Sequence, residues 1–168
     1  MHMHMVEDVV RGAGYLTLGT RLKRLGERLQ AHTQCILDEH DLAIPASQYP
    51  FLLAIHQLGP LTVGEIAQAV GVTQPAATRT VAQLAEAGFV EVSQSSEDQR
   101  RKSIALAPRG KRLIDVGRRS VWPTIEGAVK DLCKGLSGPL LQQLEAIEEG
   151  LAERPLSQRT GKVRKRRR

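Results

Sequence analysis

Apolar residues along this chain recur first at a helical period, then briefly at a period of two, then at a helical period again. In residues 7–39, Leu18, Leu22, Leu25, Leu29, His32 and Ile36 fall at alternating spacings of four and three, with Arg21, Lys23, Glu27 and Arg28 off that seam. Such a stripe predicts one long amphipathic helix. Gly12, Gly14 and Gly19 weaken its first part, because glycine is a poor helix former. The run 41–45, with Asp41 and Pro45, ends it. Residues 46–58 predict a short helix with Leu52, Ile55 and Leu58 facing inward, stopped at Gly59-Pro60.

A capping box follows. Thr62 can accept from the amide of Glu65 while the Glu65 side chain reaches back, opening a two-turn helix that buries Ile66, Ala67 and Val70. Gly71-Val72-Thr73 makes a tight turn, and Thr73 caps a further helix whose first turn tolerates Pro75. That helix runs to about Ala87, with Ala77, Val81 and Leu84 inward and Gly88 ending it. Two short helices across a glycine-containing turn define a helix-turn-helix. The period then changes to two: Val90 and Val92 alternate with Glu91 and Ser93, and Ile104 and Leu106 with Ser103 and Ala105. The polar stretch 94–101 between them is the tip of a hairpin, which makes the pair a wing.

After Pro108 the helical period returns over residues 109–135 (Leu113, Val121, Ile125, Ala128, Leu132, Leu136), with Pro123 expected to kink the helix. Residues 139–153 carry Leu140, Leu144, Ile147 and Leu151 at heptad spacing. From Pro155 onward the chain is expected to be disordered. The fold class is therefore mainly α with a small two-stranded β wing, a winged helix-turn-helix flanked by long dimerisation helices. Its expected parts are an N-terminal helix at 7–40, the winged helix at 44–107, C-terminal helices at 108–154 and a basic tail at 155–168.

Composition narrows the chemistry. The chain has 168 residues, 41% of them hydrophobic and 25% charged, which suits a globular protein with a real core. Aromatics are 3%, so the core is aliphatic and base stacking is not expected. No run of apolar residues reaches membrane-spanning length, and the N-terminus lacks the apolar stretch of a secretion signal, so a cytoplasmic location is expected. The formal charge is +6, but residues 159–168 (RTGKVRKRRR) hold seven basic groups, and without them the rest is close to neutral. A local patch says more: residues 97–119 hold Arg100, Arg101, Lys102, Arg109, Lys111, Arg112, Arg118 and Arg119 against three acids.

The run LTVGEIAQAVGVTQPAATRTVAQLAEAGFVEVSQSSEDQRRKSIALAPRGKRL (61–113) resembles the MarR family of bacterial transcriptional regulators. The resemblance lies in GVTQPAATR, in the AGFV junction into the wing, and in Asp98-Gln-Arg100 followed by Leu106-Ala-Pro-x-Gly110. Ala107 departs from the threonine often found there, and the small residues Ala76 and Ala77 in the recognition helix narrow the direct base contacts. Membership implies a homodimer, a repressor on a pseudo-palindromic operator in double-stranded DNA, released by a small-molecule effector or an oxidant. It also implies an effector pocket lined from the first helix, residues 46–58 and the start of residues 109–135. The alternative is a constitutive or architectural nucleic-acid binder driven by the basic tail.

On that reading Thr73, Gln74, Ala76, Thr78 and Arg79 of the recognition helix face DNA, where a helix N-terminus suits phosphate and Gln or Arg can pair with base edges. In the wing, Arg100, Arg101 and Lys102 suit a narrow minor groove, with Asp98 orienting Arg100. Catalysis is not expected: Gly12, Gly14 and Gly19 follow no strand, and no nucleophile, zinc or phosphate-loop motif is present. No cofactor is called for. His32, Cys35 and Glu39 share a helical face compatible with a metal, but His32 lies on the leucine seam, which favours a core or interface role. Acidic Asp38 and Glu39 argue against a reactive thiolate at Cys35, so Cys35 and Cys133 are expected as buried structural cysteines.

Overall fold

Each helix of the N-terminal half ends where the sequence supplies a residue able to turn left-handed. The computed structural model describes residues 7–94 and 102–159. These fall into two compact units that divide after Gly127. The first opens with α1 (Val9–Gly12), a 3-10 turn at Gly14–Thr17, and α2 (Leu18–Glu39). The single helix expected over 7–39 is thus interrupted, because Gly14 takes φ +59°, which needs no Cβ to be accommodated. Asp8 caps α1 by accepting from the Arg11 amide, and the Arg24 guanidinium pairs with both its carboxylate oxygens at 3.1 and 2.7 Å.

The end of α2 is a Schellman turn built on an aspartate. Asp41 sits at φ +54°, the Leu42 amide donates to the Leu37 carbonyl at 3.0 Å, and Asp41 donates to Asp38 at 3.1 Å. Leu37 and Leu42 are both buried, which supplies the apolar contact such turns use. The side chain of Gln34 then fixes the next segment, accepting from the Ala46 amide at 2.7 Å. A 3-10 turn at Ala46–Gln48 leads into α3 (Tyr49–Leu58). Leu52 and Ile55 are buried as expected, but Leu58 is 63% exposed. Six residues beyond Leu52 is about one and two-thirds turns, so Leu58 has rotated off the buried face.

The capping box forms at α4 (Val63–Val70): the Thr62 amide donates to Glu65 Oε2 at 2.7 Å, and the Glu65 amide donates to Thr62 Oγ1 at 3.3 Å. Gly71 at φ +75° separates α4 from α5 (Gln74–Glu86). Ala77, Val81 and Leu84 are all buried. Gly88 at φ +74° closes α5, with the Phe89 amide donating to Leu84 at 2.9 Å and both side chains buried. The wing is β1 (Val90–Gln94) antiparallel to β2 (Lys102–Leu106), with Val90 opposite Leu106 and Gln94 opposite Lys102. Val90 and Ile104 are buried, but Val92 is half exposed because the ribbon extends past the core that covers its base. On the other side of β2, Leu61 exchanges both backbone hydrogen bonds with Ile104, at 3.0 and 2.8 Å.

The expected helix over 109–135 is α6 (Pro108–Val116), a π-wound segment at Gly117–Val121, and α7 (Trp122–Leu132). The Trp122 amide reaches back five residues to the Gly117 carbonyl. Pro123 has no amide to offer, and the ladder widens just before it, so the expected irregularity takes the form of a π turn. Leu113, Ile114 and Val121 join the core, while Leu132 and Leu136 are exposed. The second unit, from Ala128, contains the end of α7, α8 (Leu140–Glu153) and α9 (Leu156–Arg159), and none of its described residues is buried. Disorder was expected from Pro155, but α9 is a helical turn in which Arg159 Nε donates to the Arg154 carbonyl at 2.7 Å and a second Arg159 nitrogen donates to that of Gly150.

Candidate nucleic-acid interface

With Ala77, Val81 and Leu84 of α5 buried, Thr78 and Arg79 are exposed, as are Thr73 and Gln74 at the helix start, while Ala76 is half-buried. Thr73 Oγ1 accepts from the Ala76 amide at 3.4 Å, Pro75 has no amide, and the Ala77 amide donates to the Thr73 carbonyl at 2.9 Å, so the start of α5 is capped by Thr73. The Thr78 hydroxyl donates to the Gln74 carbonyl at 2.9 Å, so it is turned toward its own helix. Gln48 donates to Gln83 Oε1 at 2.9 Å and ties α5 to the turn before α3. The expected recognition residues therefore share one exposed end of one helix.

Lys102 is exposed at the start of β2. Asp98, Arg100 and Arg101, expected at the wing tip, lie outside the described residues, as does the tail beyond Arg159.

The basic cluster at 97–119 is not all free charge. Arg109 donates to the Ala87 carbonyl at 2.6 Å and its guanidinium lies 4.5 Å from the centre of the Phe89 ring. It clamps the junction between α5 and the wing. Gly110 sits against the same junction: a Cβ there would fall 3.2 Å from the Phe89 carbonyl carbon, 3.3 Å from Leu106 Cδ2, and far closer still to the Phe89 oxygen. That oxygen accepts from the Ala107 amide at 3.0 Å. These structural roles escaped the sequence reading. A glycine in the first turn of a helix, where it is costly, was the available signal.

A cavity of about 320 Å³ opens beside the π turn. Thr33 and Leu37 of α2, Ala46, Tyr49 and Leu53 before and within α3, and Trp122, Ile125 and Glu126 of α7 contribute to its wall. The part of the wall that comes from α7 follows the π turn and does not include the start of residues 109–135. Trp122 Nε1 donates to Tyr49 Oη at 2.7 Å, with the rings edge to face at 6.0 Å. Burial pushes the Tyr49 phenol above its ordinary value, and the bond from Trp122 opposes that shift. Gly117 makes the arrangement possible, since a Cβ there would occupy the space of the Tyr49 hydroxyl.

Cys35, expected to be buried, is exposed, and Cys133 is half-buried. Cys35 is two residues before Leu37 and so points away from the core face of α2. Among the described residues no three His, Cys, Asp or Glu side chains gather closely enough to hold a metal. No helix of the described residues is long and apolar enough to cross a membrane.

Two short helices, a tight turn and a paired ribbon braced by Leu61 define a winged helix-turn-helix protein. Residues 44–102 match the model of the MarR family. An uncharacterised HTH-type transcriptional regulator of Staphylococcus aureus is 31% identical over 84 residues, which is 50% of this chain and 56% of that protein. The chain thus spans little more than half the length of that curated relative. Among solved structures, a MarR family transcriptional regulator from Streptomyces coelicolor, in complex with DNA, has a TM-score of 0.66 at 20% identity, covering 84% of this chain and 87% of its own. A MarR/EmrR family regulator from Acinetobacter sp. ADP1 has a TM-score of 0.65 at 20% identity, covering 81% and 92%. BpsR of Bordetella bronchiseptica, whose DNA binding is regulated by 6-hydroxynicotinic acid, has a TM-score of 0.56 at 18% identity, covering 79% and 98%. At these identities the structural likeness shows a shared fold.

Proposed function

We propose that this protein is a sequence-specific regulator of transcription that binds a pseudo-palindromic operator in double-stranded DNA as a homodimer, represses from it, and is released by a small molecule. The observation that carries this reading is the exposed N-terminal end of α5, with Gln74 and Arg79 presented together beside a wing. A helix of this kind fits the major groove, and an adjacent basic ribbon fits the neighbouring backbone or minor groove. That the regulator of this fold from Streptomyces coelicolor is in complex with DNA supports DNA as the partner.

Dimerisation is supported by apolar seams left open. Leu22, Leu25 and Leu29 of α2 are each 40–46% exposed, and in the second unit Leu141, Ile147 and Leu151 are exposed too. An isologous two-fold would cover them and set two recognition helices about 34 Å apart, one turn of DNA. Stable monomers by light scattering at micromolar concentration would count against it. Release by an effector is supported by the cavity between α2, α3 and α7, where a ligand favouring one spacing of the DNA-binding lobes would change operator affinity.

The test compares Arg79→Ala with deletion of residues 159–168 on an operator selected from random DNA and on a scrambled duplex, at two salt concentrations. Arg79→Ala should cost about 1–3 kcal/mol on the operator and little on the scrambled duplex. The deletion should weaken both alike and flatten the salt dependence. If the intact protein held no specificity ratio, or the deletion abolished binding to both, a constitutive binder driven by its tail would replace this reading.

A further inference from the structure

We infer that Thr78 reads the 5-methyl group of a thymine through its own methyl, on the base pair that Arg79 reads or the one beside it. The inference rests on the reading of α5 as the helix that enters the major groove. Thymine alone among the four DNA bases carries a methyl on its major-groove edge, and a threonine methyl packed on it is a form of direct readout. Thr78 is exposed, and its hydroxyl donates to the Gln74 carbonyl at 2.9 Å, four residues back on the same helix. The hydroxyl proton is therefore committed, and the substituent left free at Cβ is the methyl.

The neighbours of Thr78 agree with this division of labour. Ala82, one turn further on the same side of α5, is exposed and adds a second methyl with no donor or acceptor. On the other flank, Gln83 Oε1 accepts from Gln48 at 2.9 Å. Arg79 is exposed beside Thr78 and has no hydrogen bond or ion pair among the described residues, so its fork of donors is left for a base edge. Consecutive Cα atoms are about 3.8 Å apart and stacked bases about 3.4 Å, so residues 78 and 79 reach the same or adjacent base pairs. Docking Thr78 on an apolar group orphans no donor, because its proton keeps its partner within the helix. Burial of one methyl corresponds to about a fourfold change in affinity, or about fifteenfold over two half-sites.

The probes are the operator that the full-length protein selects from random DNA and the same duplex with one thymine at a time replaced by deoxyuridine. That change keeps every hydrogen-bonding group of the base and removes only the 5-methyl. In each half-site, uracil should weaken binding about fourfold at a thymine on, or next to, the base pair whose guanine no longer matters in Arg79→Ala. Thr78→Ser keeps the hydroxyl and its bond to Gln74 but lacks the methyl, so it should bind the thymine and uracil operators alike. Thr78→Val keeps a methyl and lacks the hydroxyl, so it should retain the fourfold preference. Indifference to uracil at every thymine would overturn the inference, as would a preference that survives in Thr78→Ser or vanishes in Thr78→Val. An equal loss on a scrambled duplex carrying uracil would overturn it too, since the effect would then belong to the DNA. If selection yielded no operator, the regulator reading would fall and this inference with it. An operator bound without regard to its thymine methyls would overturn this inference alone.

Discussion

Replacing Gly110 by alanine should destabilise the protein, against the usual sign of a glycine-to-alanine change in a helix. Alanine in α6 gains up to about 1 kcal/mol over glycine by intrinsic propensity. Against that, the new Cβ meets backbone that cannot swing aside: it lies 3.2 Å from the Phe89 carbonyl carbon, and closer to the oxygen than the 3.0 Å that real Cβ atoms keep. Relief requires α6 to lift from the junction of α5 and β1. Overpacking of this kind costs about 1–3 kcal/mol, and loss of the Ala107-to-Phe89 bond adds about 1 kcal/mol. The net is a loss of about 1–3 kcal/mol, or about 2–4 °C in Tm for each kcal/mol. Gly127→Ala is the internal control. Nothing lies within 4 Å of its Cβ position in α7, and it should gain about 0.4–1 kcal/mol. Urea and thermal unfolding at one fixed protein concentration would compare the three chains, since stability of a dimer depends on concentration. If Gly110→Ala proved as stable as Gly127→Ala, the close packing of α6 on Phe89 would be refuted.

Three further outcomes follow from other contacts. Thr62→Ala removes the oxygen that caps α4 and should cost about 0.5–2 kcal/mol in denaturant unfolding, with a smaller loss for Thr62→Ser. Tyr49→Phe deletes the acceptor of the Trp122 indole and should cost about 1 kcal/mol, visible also as a shift in Trp122 emission. The Arg24 guanidinium, and after it the Arg11 amide, hold the Asp8 carboxyl below its ordinary 3.8. A depressed folded value means that Asp8 supports α1 above pH 3.8 and loses that support as pH falls through the lower folded value. Amide protection in α1, taken relative to the intrinsic exchange rate at each pH, should therefore fall on acidification below pH 3.8, and Asp8→Asn should already show the lower protection at neutral pH.

What the sequence by itself determined was local. The capping box at Thr62 and Glu65, the left-handed glycines at 71 and 88, and the change of period at Val90 each depend on residues within one or two turns of each other, so the helix-turn-helix and its wing were legible in order. The outward turn of Arg79 followed too, because burial of Ala77, Val81 and Leu84 leaves it on the opposite side of α5, while Gln74 is exposed as the first residue of the helix. Tertiary structure decided whatever joins residues distant in the chain. Arg109 reads as one more cation until Ala87 and Phe89 are beside it, and Leu61 reads as a loop residue until Ile104 pairs with it. The cavity needs Thr33, Tyr49 and Trp122 brought together from three helices, with a glycine at 117 to seat the Tyr49 hydroxyl and a π turn to aim the indole. Periodicity carries no signal for a turn widened by one residue, since its cause is a proline downstream and its reward is a contact 73 residues away.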